Sequence, residues 1–96
     1  MDIKFDDIYR DEYYNTITLY FTAPKEILKE YFSTDYPEAT AAEISIEVPA
    51  DHIEAKYALV SISPTKLIEG GQDDYDWRDI DMDPVLIETL FVEADI

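Results

Sequence analysis

Tyr13-Tyr14-Asn15-Thr16-Ile17-Thr18-Leu19-Tyr20-Phe21-Thr22-Ala23-Pro24-Lys25-Glu26-Ile27-Leu28-Lys29-Glu30-Tyr31-Phe32 changes its period once, at Pro24. Up to Thr22, Ile17, Leu19 and Phe21 alternate with Thr16, Thr18 and Tyr20, the signature of a half-buried strand rich in β-branched and aromatic residues. Beyond Pro24, Ile27, Leu28, Tyr31 and Phe32 recur at helical spacing, with Lys25, Glu26, Lys29 and Glu30 on the other side. Proline suits a first helical position because its φ is fixed and its missing N–H would be unbonded there anyway. One stretch therefore encodes both a strand and a helix, and the chain reads as α+β.

The same two signals recur along the rest of the chain. Asp2 to Tyr9 alternates loosely and reads as a short strand, with Arg10-Asp11-Glu12 as the turn into the next. Ser33 to Glu38 ends the helix, with Pro37 as the breaker. Ala42 to Val48 alternates strictly, with Ala42, Ile44, Ile46 and Val48 facing in. Ala55 to Ser63 is a further strand, which Pro64 is expected to close because proline cannot donate to a ladder. Asp83-Pro84 reads as N-cap and first helical residue, ahead of an apolar stripe of Leu86, Ile87, Leu90 and Phe91. The expected architecture is a two-layer sandwich: an antiparallel sheet of three to four strands with two helices packed on one face, in a single domain spanning 1–96. The other sheet face would carry Tyr14, Thr16, Thr18, Tyr20, Glu43, Ser45, Glu47, Tyr57, Leu59 and Ser61, polar enough to meet water.

Charge narrows the function. The 96 residues include 23 acidic and 7 basic side chains, a formal net charge of −16, while 47% are apolar and 14% aromatic. That apolar share is enough for a core, so the chain reads as folded rather than disordered. Its charge argues against direct nucleic-acid binding and against anionic membrane surfaces. Basic proteins and cations remain as attractive partners. With no cysteine, thiolate metal sites, thiol nucleophiles and disulfides drop out. No charged-then-apolar leader follows Met1 and no apolar run reaches the ~18 residues of a membrane span, so the expected location is the cytoplasm.

Glu69 to Asp83 concentrates the acids: seven carboxylates, one cation at Arg78, the lone Trp77 and both glycines. It reads as an acidic loop. Asp79-x-Asp81-x-Asp83 imitates the start of an EF-hand, but position six is Pro84 and position twelve is Leu90 where glycine and glutamate are required. A cation-binding domain using residues 73–83 is kept as an alternative, without a specific metal site. His52 sits in a connector beside Asp51 and Glu54, with no nucleophile in context. Ser61, Ser63 and Thr65 lack a nucleophile elbow, and no glycine-rich phosphate loop occurs. No catalytic residues and no cofactor are expected. Trp77, Tyr75 and Met82 read first as side chains that bury themselves and fasten the stretch to the body.

Ser63-Pro64-Thr65-Lys66-Leu67-Ile68-Glu69-Gly70-Gly71, Asp74-Tyr75-Asp76-Trp77 and Ile3-Lys4-Phe5-Asp6-Asp7-Ile8-Tyr9 resemble segments of small uncharacterised acidic proteins carried on bacterial conjugative elements. That resemblance implies a mobile-element context and no catalytic motif. The functional expectation is an acidic interaction domain that binds a basic protein surface, including as a nucleic-acid mimic that blocks a DNA-binding protein. A mimic would use Glu26 and Glu30, about 6 Å apart on a helix, and Glu43 and Glu47, about 13 Å apart on a strand. Setting aside Asp81 and Asp83 for the helix start, the recognition cluster is Asp73, Asp74, Tyr75, Asp76, Trp77 and Asp79.

Overall fold

The computed structural model describes residues 2–96. β1 (Lys4–Asp11) and β2 (Thr16–Ala23) form a hairpin, followed by a 3-10 turn over Lys25–Ile27 that runs into α1 (Leu28–Tyr31). β3 (Ala41–Pro49) returns along β2, and a second 3-10 turn (Ala55–Tyr57) leads to β4 (Leu59–Ile68). β5 (Gly71–Asp74) and β6 (Arg78–Ile80) precede α2 (Pro84–Glu93). The strands make one antiparallel sheet in the order β1-β2-β3-β4-β5, with β6 also on β4.

This overturns the expected sandwich of three to four strands under two helices. The sheet has six strands and dominates the molecule, and the helices are short. The first is only four residues of α-helix, because Pro24 starts the segment and Phe32 is already extended at φ −122° and ψ 135°. So short a segment has little helical stability of its own. It is held by Leu28 and Phe32, which are buried in the core.

Strand register explains that core. Phe21, Ile44 and Ile62 lie opposite one another across β2, β3 and β4, and Leu19, Ile46 and Val60 form the next row. All six are at or near complete burial, joined by Ile87, Leu90 and Phe91 of α2. Asp83 caps α2, its Oδ1 accepting from the Val85 N–H at 2.9 Å, with Pro84 in the first turn.

Pro64 does not close β4, which continues to Ile68. In an antiparallel strand a residue's N–H and C=O point to the same neighbour. The Pro64 carbonyl accepts from the Tyr75 N–H at 3.0 Å, so its missing donor also faces that edge and the ladder to β3 loses nothing. The edge is interrupted there: β5 pairs with Thr65–Ile68 and β6 with Val60–Ile62, leaving Ser63 and Pro64 opposite the bend at 75–77. Ser63 Oγ takes up the slack, accepting from the Asp76 N–H at 3.1 Å and donating to the Pro64 carbonyl at 3.0 Å. The acidic stretch is thus two edge strands, not a loop.

The opposite edge is β1. Its pairing shifts register between Phe5 and Asp7, so Asp6 is bulged out of the ladder. Bulges and charges on an edge strand discourage pairing with another copy. Asp11 organises the turn that follows, its Oδ1 accepting from the Tyr13 and Tyr14 N–H groups, and Asn15 takes a left-handed φ of 51°.

Candidate functional site

The face of the sheet turned away from the helices carries polar residues in rows. Tyr20, Ser45 and Ser61 lie opposite one another across β2, β3 and β4. One row along stand Thr22, Glu43 and Ser63. β5 adds Asp74 through its pairing with Thr65, and β6 adds Asp79 through its pairing with Ser61.

The expected recognition cluster is divided between the two sheet faces. Asp74, Trp77 and Asp79 belong to the polar face. Asp74 Oδ1 accepts from Thr65 Oγ1 at 2.8 Å and Gln72 Nε2 at 3.0 Å, and Asp79 Oδ1 accepts from Ser61 Oγ at 2.9 Å. Trp77 lines a shallow recess of about 380 Å³ together with Tyr20, Ser45, Ser61 and Asp74. Trp77 is 42% exposed and Tyr75 39%, whereas Met82 is buried. Of the three side chains expected to fasten the stretch, only Met82 does so by full burial.

Asp76 turns the other way and has a structural task. Its Oδ2 accepts from the Tyr36 hydroxyl at 2.9 Å and pairs with Arg78 at 2.8 Å. Arg78 in turn lies 4.9 Å from the Phe32 ring centroid, and Phe32 stacks edge-on to Tyr36 at 5.5 Å. This clamp ties the bend at 75–77 to the segment after α1. The Arg78 guanidinium, then the Tyr36 hydroxyl, hold the Asp76 carboxyl below its usual value, and the same hydrogen bond raises Tyr36. Asp73 is exposed opposite Lys66. Tyr75 has its phenol raised by partial burial, then by the charges of Glu38 and Asp73.

Glu43 was expected on the solvated face and is instead 4% exposed. Burial pushes its carboxyl up to about 7; Thr22 opposes the shift, and the charges of Asp6 and Asp74 add to it. Gln72 donates to the same carboxyl and also opposes the shift, and the contacts at Thr22 are compatible with a protonated Glu43. Thr22 Oγ1 contacts both Asp6 Oδ2 and Glu43 Oε2, yet a hydroxyl has a single hydrogen to donate. With the Thr22 hydrogen on Asp6, a protonated Glu43 donates back to Thr22 Oγ1 and all three groups are satisfied. Alternation alone could not reveal this residue, because Glu43 sits at an outward position that neighbouring strands later cover.

The remaining expectations fall elsewhere. Asp79 and Asp83 are committed to Ser61 and to the α2 cap, and among the described residues no three His, Asp or Glu converge as a metal-ligand set. His52 is exposed, 4.0 Å from Glu54, with its ring 5.4 Å from that of Tyr57. Glu26 and Glu30 are both exposed, on the 3-10 turn and on α1 that continues it, whereas Glu43 is buried and is not displayed beside Glu47. Among the described residues no helix is long and apolar enough to cross a membrane. A second hollow, of about 390 Å³ beside α1, has mixed charge from Lys25, Lys29, Glu26 and Asp35.

The chain matches no protein-family model, no curated protein and no solved structure.

Proposed function

We propose that this protein is an acidic interaction domain whose partner is a basic protein surface. The observation that carries this reading is the unneutralised charge. The net charge is −16, and among the described residues Asp76 is the one carboxylate that forms an ion pair with a lysine or arginine. Charge held apart from internal partners is available to an external one, where it raises association rates and suppresses wrong partners. A basic surface that normally holds nucleic acid has the matching character, since such surfaces meet phosphates with Lys and Arg. The resemblance to proteins of conjugative elements is compatible with a host partner of that kind. The domain acts by occupying the surface, without chemistry of its own.

Isothermal titration against a polybasic DNA-binding domain at rising salt tests this. Binding should weaken steeply as the Debye length shrinks from about 10 Å at 0.1 M salt. Absence of binding, or affinity indifferent to salt, would sink the proposal.

A further inference from the structure

The geometry points to the recess under Trp77 as an anchor for a single arginine side chain of that basic partner. The inference rests on the function proposed above and adds the place and chemistry of its central contact. Five segments converge on the recess: Tyr20 from β2, Ser45 from β3, Ser61 from β4, Asp74 from β5 and Trp77 from the bend between β5 and β6. Its volume of about 380 Å³ and open form suit a side chain laid across the sheet better than an enclosed ligand.

Two features select a guanidinium. Trp77, the only tryptophan, stays 42% exposed beside Tyr20, and an indole face is the best aromatic platform for a cation. Asp74 lines the same recess, and Asp79 holds the Ser61 hydroxyl at its margin. The hydrogen bonds that Thr65, Gln72 and Ser61 give these carboxylates all use Oδ1, so each Oδ2 keeps its capacity to accept. The carboxylates are thereby fixed in place before a ligand arrives, which reduces the ordering cost of binding. A planar guanidinium can stack on indole while donating to carboxylate, which a compact ammonium does less well. The neighbouring Arg78 cannot fill the role, because it is held by Asp76 against Phe32 on the helix side.

The lone tryptophan makes the test local. Trp77 emission is followed while the whole protein is titrated with an oligoarginine peptide and, separately, with an oligolysine peptide of equal charge; calorimetry records total binding. Trp77 emission should change, and arginine should bind about fivefold tighter than lysine. Asp74→Asn should weaken the arginine peptide about tenfold, and Asp79→Asn should weaken it less. Glu12→Gln, which removes the same charge in the exposed β1–β2 turn, should have little effect. Salt-sensitive binding without any Trp77 response, or equal losses for Asp74→Asn and Glu12→Gln, would overturn the anchor and leave the broader reading standing. No binding by calorimetry would overturn both. The wild-type emission and the arginine-to-lysine ratio decide the matter even where a variant is poorly folded.

Discussion

Glu43 is the residue whose environment and chemistry most disagree with an ordinary surface carboxylate. In the unfolded chain it titrates near 4.5 and in the folded protein at about 7. Between those values the unfolded chain gives up the proton while the folded protein keeps it. The contribution is therefore fully present below about 4.5 and is lost as pH rises to about 7, at up to about 1.4 kcal/mol per pH unit. Glu43→Gln, whose amide can donate to Thr22 without titrating, should raise stability at pH 8 by about 1–3 kcal/mol and flatten the pH dependence across that window. Urea unfolding at pH 5 and pH 8 measures both effects. Asp76 has the opposite sign: its depressed carboxyl stabilises above the usual carboxylate range and loses that role on acidification. At the start of α2, Asp83→Ala removes the cap bonded to Val85 and should cost about 1 kcal/mol in the same assay.

At the scale of elements, the edge of β4 holds the fold's least regular feature. β5 and β6 occupy the two ends of β4, and the bend between them is stitched down by Tyr75, Asp76 and Ser63. The β4–β5 turn depends on Gly70, whose φ of +81° is left-handed and whose surroundings leave room for a methyl group. Gly70→Ala should thus act through backbone strain alone, lowering stability by about 1 kcal/mol in chemical denaturation. These elements also mark how far the sequence could be read. β2, β3 and the apolar part of β4 were legible because Ile17, Leu19, Phe21, Ile44, Ile46, Val60 and Ile62 alternate without interruption. β5 and β6 were not, since Gly-Gln-Asp-Asp and Arg-Asp-Ile have poor strand propensity and become strands only because β4 offers an unpaired edge. Pro64 misled for a related reason: its effect depends on which edge its nitrogen faces, and one sequence does not show that. Within the site, clustering grouped Trp77, Asp74 and Asp79 with Asp76 as one candidate patch. It could not separate them from Asp76, because alternation along an edge strand and one bend send neighbours to opposite faces.

Considered whole, the molecule balances a well-filled apolar core against a shell of like charge. Its radius of gyration is 13.2 Å, so many of its surface charges lie within mutual reach at low ionic strength. Added sodium chloride should raise the thermal midpoint by several degrees between 0.02 and 0.5 M, as screening relieves self-repulsion. A midpoint unchanged by salt would show that the acids are spaced widely enough to ignore one another. Binding of the proposed basic partner would relieve that same repulsion. The most direct measurement is amide chemical-shift mapping of the folded protein with an arginine-rich peptide at low salt. Perturbations should gather on the polar sheet face at Tyr20, Ser45, Ser61, Asp74, Trp77 and Asp79, and fade together as salt is added. Shifts confined to α1 or α2, or none at all, would contradict an acidic sheet face built to receive a basic surface.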